Sequence, residues 1–412
     1  MSASDLDRRL TAFFDAASSE ALPDGVLDDV YAVTRQMPQR TGLAARRTVD
    51  LATWWTNPFG RALQLRMFAI VVLALIAVAA SLVYVAGHYR RLPPPYGPAR
   101  NGLIVFDIGK HLYIAEPDGT AVPLNIGLGT SWNPAYSPDG TKLAFYSQAE
   151  RTPSRVSLFV ADGDGTNARP ITGDMAVVGD KLASIGWSPD SRRIAFASSE
   201  KGVPSSLYIA EADGSGVSRL TNDAVDRVFP TWSPRGDFIA YQRVDETGAG
   251  IAIMAPDGTG ERTLMNDGVM VGYNFAWPVW SPDGTKLAFQ HFNTQRQREE
   301  VGFVDLNRRY VPAPEDTAAE APQWSNDGTR LAYFLVDTTK LVVLDVATGK
   351  RMELPAGLAD CGVFWAPDDT ALLGIADCRR AVRFPLDNPS AVTRLTDVQG
   401  DLHMYAWQRI AP

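Results

Sequence analysis

One short pattern returns seven times in this chain, and it constrains the fold more than any other feature. An aromatic residue followed by Ser-Pro-Asp-Gly, or a close variant of it, stands at Tyr136, Trp187, Trp232, Trp280, Trp324 and Trp365, with a degenerate copy at Trp407. Neighbouring aromatics lie 41 to 51 residues apart, a period near the ~40–45 residues of a four-stranded propeller blade. Repeats of this length bury their apolar faces only by stacking on one another, so the chain must form an array.

Each copy has a local physical reason. Proline presets φ at the second turn position, Asp binds its own backbone, and Gly accepts positive φ, so the tetrapeptide is a turn that ends one strand and starts the next. The segments after it, such as Lys142-Leu-Ala-Phe-Tyr146, Arg193-Ile-Ala-Phe196 and Lys286-Leu-Ala-Phe289, are almost continuously apolar. That suits strands covered on both faces. The Ala repeated between two bulky residues lets neighbouring sheets come close. A third strand follows (Leu158-Phe-Val-Ala161, Leu207-Tyr-Ile-Ala210, Ile251-Ala-Ile-Met254) and ends in an Asp-Gly hairpin, as hairpin chemistry asks. A short fourth strand completes an all-β, antiparallel blade.

The two ends of the repeat region complement each other. Residues 102–125 supply the second, third and fourth strands of a blade that has no first strand, and His403–Trp407 reads as the missing one. Joining them gives a composite closing blade and removes free sheet edges. The expectation is therefore a seven-bladed propeller over 102–412. Six blades is the alternative, should the C-terminal segment be a tail.

The repeat resembles the TolB-type β-propeller repeat, of the form aromatic-Ser-Pro-Asp-Gly-x-x-Leu/Ile-Ala-Phe with a later Asp-Gly and Leu-Thr. The resemblance covers roughly residues 102–410. It implies a propeller fold, and it allows several uses: periplasmic partner-binding modules, propellers attached to peptidases, lyases and sensors. Propellers of that type usually have six blades, so a count of seven departs from the commonest member.

Met67–Gly87 is a second strong signal, 21 residues with no charge, long enough to cross a bilayer as a helix. Trp54, Trp55, Phe59, Tyr84 and Tyr89 lie near its ends, where amphipathic rings prefer to sit. Beginning 66 residues into the chain, it does not read as a cleaved leader. Arg46, Arg47, Arg61 and Arg66 on its N-terminal side, against Arg90, Arg91 and Arg100 on the other, point to a cytoplasmic N-terminus and an extracytoplasmic propeller. Residues 88–101 contain three consecutive prolines, a semi-rigid spacer.

Residues 1–66 read as a cytoplasmic segment of two short amphipathic helices, one opened by the capping box Ser4–Asp7 and one by Pro23-Asp-Gly. The layout of cytoplasmic helices, one span and an exported domain resembles bacterial transmembrane anti-sigma factors. The His-x-x-x-Cys-x-x-Cys zinc motif of many such domains is missing, because no Cys or His precedes His88.

The sequence offers little chemistry. It contains no Gly-x-Ser-x-Gly elbow, no phosphate-binding Gly-rich loop and no His-Glu-x-x-His helix. No catalytic residue, cofactor or metal site is expected. Asp162-Gly-Asp-Gly-Thr-Asn167 superficially resembles a calcium loop but lacks the bidentate acid. The propeller portion is acidic within a chain of net charge −8, the wrong sign for phosphate contacts, so nucleic acid is not expected as a partner. Binding residues instead collect on the loops before each innermost strand. The candidates there are Arg227, Tyr273, Phe275, Trp277, Glu320, Asp360 and His403. The expected function is a membrane-anchored binding, sensor or scaffold module, not an enzyme, that takes a protein, peptide or glycan. Signalling through the N-terminal helices and an envelope hydrolase or lyase acting at a channel mouth are the competing readings.

The only two cysteines, Cys361 and Cys378, fall in one repeat. If the hairpin turns near Asp368–Asp369, they face each other across adjacent strands, close enough for a disulfide in an oxidising compartment; two buried thiols is the alternative. With the disulfide, the Cys361→Ala, Cys378→Ala protein loses about 2–4 kcal/mol of stability. Mass spectrometry of unreduced protein showing two free thiols would dismiss the bridge.

Overall fold

The apolar runs after the turns become the second strands of seven four-stranded antiparallel sheets. The structure, a computed structural model, describes residues 97–410 apart from 149–155, 174–183, 200–202, 247, 267–276, 294, 315–317, 355–361, 378 and 397–401. The segments expected as cytoplasmic helices (1–66) and as the membrane span (67–87) lie outside the described residues. Among those described, no helix is long and apolar enough to cross a membrane.

Blades I to VI follow the chain: I is β4(Thr130–Tyr136) to β7(Arg169–Pro170), II is β8(Gly186–Trp187) to β11(Val217–Arg219), and III is β12(Asp226–Trp232) to β15(Arg262–Asn266). IV is β16(Val279–Trp280) to β19(Tyr310–Pro312), V is β20(Ala319–Trp324) to β23(Arg351–Glu353), and VI is β24(Val363–Trp365) to β27(Thr393–Arg394). Blade VII is composite, in the order β28(Leu402–Ile410), β1(Arg100–Ile108), β2(His111–Ala115), β3(Val122–Pro123). Arg100 pairs with Ile410 and Ile104 with Trp407 across its seam. The blade completed by both ends of the repeat region is therefore present, and the ring has seven blades.

The core is divided into seven apolar clusters, each shared by two successive blades. Val105 and Leu112 of blade VII meet Leu143 and Phe145 of blade I. Ala144 and Leu158 of blade I meet Trp187 and Phe196 of blade II, and the series runs on through the remaining pairs. Leu373 and Ile375 of blade VI meet Ile104, Phe106 and Trp407 of blade VII, which closes the circle. The repeated alanines Ala144, Ala195, Ala240, Ala288 and Ala332 are fully buried, as expected of spacers between sheets. First strands of successive blades touch one another, β12 against β8 and β16, β20 against β16 and β24, β28 against β4. The first strand is thus the one nearest the axis. The fourth strands lie at the rim, and β3, β7 and β11 among them are exposed throughout.

The repeated Trp has a role beyond packing. Its indole N–H donates to the carbonyl just before the aromatic of the preceding blade: Trp187 to Ala135 (3.0 Å), Trp280 to Thr231 (3.2 Å), Trp324 to Val279 (3.2 Å) and Trp365 to Gln323 (3.0 Å). Two of the repeated tryptophans depart from the rule: Trp407 donates to Gly102 of its own blade, 3.0 Å away, and the buried Trp232 N–H makes no such bond among the described residues. Ser-Pro-Asp-Gly likewise acts as a unit. The buried Ser137 hydroxyl donates to Asp139 (2.6 Å) and accepts from the Lys142 N–H (3.0 Å), and Ser281 and Ser325 repeat the arrangement. From blade II to blade V the turns stack so that the glycine of one sits on the proline of the turn before: Gly236 on Pro189, Gly284 on Pro234 and Gly328 on Pro282. A Cβ at Gly328, where φ is 73°, would come within 3.3 Å of Pro282.

Deleting residues 402–412 removes β28 and bares an edge of β1. Unpaired N–H and C=O groups invite association, and blades VI and I lose apolar cover. The truncated protein is expected to melt well below the full chain or to precipitate. Unchanged thermal unfolding would contradict the seam.

Candidate functional site

The first strand of every blade begins at the end of the ring opposite the Ser-Pro-Asp-Gly turns, and Arg227, Trp277 and Glu320 sit at or near those strand starts. Tyr273, Phe275, Asp360, Cys361 and Cys378 lie outside the described residues. His403 stands on β28, next to the Leu402–Ile108 pair, and its side chain is likewise outside them. Arg227, Trp277 and Glu320 are described.

Arg227, second residue of β12, is almost completely buried. Its guanidinium makes a bidentate pair with Asp223 (Nη2–Oδ2 2.9 Å, with a second contact from Nη1) and another with Glu261 (2.7 and 3.3 Å). Nη1 also donates to the Val225 carbonyl at 3.3 Å. The arginine thus ties the loop before blade III to the third hairpin of that blade, and all its donors face the protein. These paired carboxylates hold the guanidinium firmly protonated despite its burial, and Arg227 holds Asp223 below the usual carboxylate range. Arg243 joins from the next strand, 3.4 Å from Glu261.

Trp277 is half-buried and meets Phe229 edge-on, with ring centroids 5.6 Å apart. Both occupy the same repeat position, three residues before the aromatic, in successive blades. That position carries strain. Asn133, Phe229 and Ala321 all have positive φ (56°, 56° and 53°), each precedes a proline, and each marks a bulge in the pairing of the first strand with the second. A bulge turns a side chain toward a new neighbour, and left-handed backbone at a non-glycine costs about 1–2 kcal/mol. The neighbouring blade holds two of these bulges: Asn133 N–H donates to Asp107 (3.1 Å) and Ala321 N–H to Gln290 (3.2 Å). Proline two places before the aromatic was the sequence signal for them, because mid-strand proline is confined to edges and bulges.

Glu320 starts the bulge of blade V and lies half-buried opposite Phe334. Burial pushes its carboxyl above the ordinary range. The residues preceding each aromatic along the inner strands, Ala135, Gly186, Thr231, Val279, Gln323, Phe364 and Ala406, are all uncharged. Glu320, Trp277 and Arg227 belong to three successive blades, and no contact joins Glu320 to the other two.

A polar cluster that sequence reasoning passed over sits in blade IV. His291 Nε2 lies 2.6 Å from the Tyr310 hydroxyl and is paired in register with Glu300. Glu300 accepts from Asn293 (2.8 Å), Arg298 (3.0 Å) and Arg296 (3.1 Å), which hold it below the usual range in spite of burial. His291 is itself held below its ordinary value by burial, against the pull of Glu300. Burial likewise raises Tyr310. A side chain at Gly302 would collide with the Tyr310 ring, so the cluster is built around that glycine. Among the described residues, no three His, Cys, Asp or Glu side chains come together as a metal site. Asp162–Asn167 forms a hairpin tied by its own side chains, with Asn167 donating to Asp162 at 2.6 Å and Thr166 to Asp164 at 2.6 Å.

With the geometry in place, comparison defines the class. Residues 125–270, the stretch of blades I to III, match the family described as TolB beta propeller domain, so the repeat over that stretch is of the TolB type. The Tol-Pal system protein TolB of Gluconobacter oxydans is 35% identical over 104 residues, 23% of this chain and 21% of that protein. The uncharacterized peptidase YuxL of Bacillus subtilis is 30% identical over 185 residues, 43% of this chain and 26% of its own length. The uncharacterized protein Atu1656 of Agrobacterium fabrum is 26% identical over 194 residues, covering 42% and 59%. The chain thus spans between about a sixth and three fifths of the length of these and the other curated relatives it matches. Among solved structures, an oligogalacturonate lyase in complex with manganese shares the fold, with a TM-score of 0.52 at 14% identity over 78% of this chain and 92% of that one.

The His291 cluster gives a pH prediction. Its folded-state affinity for a proton is lowered, so unfolding takes up a proton once the pH drops below the unfolded value near ~6.5. The stability His291 contributes is therefore present above that pH and lost as the pH falls through it. Between pH 7 and 5 the wild-type melting temperature should drop more than that of His291→Gln; parallel pH profiles would refute the assignment.

Proposed function

We propose that this chain is a single-pass membrane protein whose extracytoplasmic propeller binds a protein, peptide or glycan at the mouth where the first strands begin, acting by binding and not by catalysis. The difference between the two ends of the ring carries this reading. At the turn end, hydroxyls, carboxylates and backbone N–H groups of the repeated tetrapeptides are satisfied by one another. In the sequence, the stretches that join fourth to first strands hold nine Asp and Glu against a single Lys, a net charge equal to that of the whole chain, though of these acids only Asp223 lies among the described residues. Such a field favours a partner with a cationic or hydrogen-bond-donating face and opposes nucleic acid. The likeness to TolB, named for a Tol-Pal system, supports an envelope setting, and the charge-free run 67–87 supports an anchor.

Two measurements test it. Protease added to intact spheroplasts should digest residues 101–412 and spare 1–66; a protected propeller would reverse the orientation, and release by carbonate would remove the span. Crosslinking of the intact protein in its membrane should recover a partner whose yield drops in Glu320→Lys and not in Arg235→Ala, an exposed position at the turn end. Equal yields would move the binding surface away from this mouth.

A further inference from the structure

Blades II and III each change one turn residue, Ser191 for glycine and Arg235 for aspartate; blades V, VI and VII together depart further and do so side by side. Blade V has Asn326 where five of the other blades have proline at the second turn position. Blade VI has Ala366 in place of serine and Asp369 in place of the usual glycine. After Trp407 the turn is missing and Gln408-Arg409 follows. Every one of these residues of blades V, VI and VII except Ala366 contributes a side chain to the same polar network, at the turn end of those blades.

The buried Asp369 carboxylate accepts from the Asn326 N–H, the Asn326 amide and the Asp327 N–H, each at 2.8 Å. Arg330 donates to the Asp369 carbonyl at 3.1 Å. The Asn326 carbonyl oxygen in turn accepts from Arg409 Nη1 at 2.7 Å, and Arg409 Nη2 reaches the Gly97 carbonyl. On the other side, the Ala99 N–H donates to the Pro367 carbonyl at 2.7 Å. Asn101 and Asp368 exchange bonds, Nδ2 to Oδ2 at 2.9 Å and Asp368 N–H to Oδ1 at 3.3 Å. Ala99 is buried, while Pro98 before it is exposed. Gln408 donates to the Gly140 carbonyl at 2.8 Å, which brings blade I into the same chain of bonds.

We propose that Gly97–Asn101 is a latch on the seam of the ring. The segment that enters the propeller is held by blade VI on one side and by Arg409 of the closing strand on the other, so release of the entering segment also releases β28. Ordinary blades need no such device, because each is continuous in sequence and its first strand is held by the hairpin that follows. β28 reaches its blade only through the seam. A pull on the chain ahead of Gly97, or a partner that competes for Asn101 and Arg409, would loosen β28 ahead of every other strand.

Hydrogen exchange of the intact full-length protein reads this strand by strand. In Asn101→Ala and, separately, Arg409→Gln, amides of β28 and β1 should exchange about tenfold faster or more, with blades II to IV unchanged. The exchange of charge partners, Asn101→Asp with Asp368→Asn, keeps both bonds and should return β28 to wild-type protection, which separates the latch from general damage to the fold. Unchanged β28 protection in both single variants would overturn the proposal, as would an equal loss of protection in all seven blades. Should Arg409→Gln fail to fold, Asn101→Ala and its paired rescue decide the question without it.

Discussion

The structure rests on contact between blades, and the repeated indole is its most economical expression. One tryptophan fills the gap between two sheets and also donates to the inner strand of the blade before it. Apolar area supplies the driving force, but area alone does not set an angle between sheets. At four blade pairs the directional N–H to carbonyl bond fixes how far one blade is rotated from the next, and the composite seam closes the ring. Where the bond is absent the repeat compensates. Arg193 stacks over Trp232, its guanidinium carbon 4.7 Å from the ring centre; Arg330 stacks over Trp365 as well, which keeps its bond to Gln323.

The two ends of the ring divide the chain's polar chemistry. At the turn end, polar groups serve the fold: serine, aspartate and the backbone of each tetrapeptide close on themselves, and where proline gives way to Asn326 the next turn answers with Asp369. At the other end the connections vary in length and composition while the strands that hold them do not. A scaffold that keeps its tolerances in the strands leaves those connections free to differ, which is why they carry the proposed binding surface.

Much of the fold was legible in the sequence because the repeat encodes it locally. Each turn, each apolar strand and each hairpin is written in contiguous residues, and the composite blade followed from a missing first strand at one end and a spare one at the other. The site was far less legible. Arg227 read as a mouth residue, yet its partner Glu261 lies 34 residues on and meets it only after blade III has formed. The pairing of Asn326 with Asp369 and of Asn101 with Asp368 depends likewise on which turns become neighbours. His291 looked isolated among four scattered histidines, since its partners Tyr310 and Glu300 are set beside it by strand register. The strained bulges were marked by prolines that had been read only as part of the repeat.

The composite blade has a consequence for how such a protein can change size. Because the two ends of the propeller meet inside one sheet, the seam is indifferent to how many complete units lie between them. Duplicating or deleting one unit in register would leave β28 beside β1 and alter only the circumference. The bore of the channel and the spacing of the loops around its mouth would then change in discrete steps. A lineage of such rings could resize its opening without redesigning any single contact.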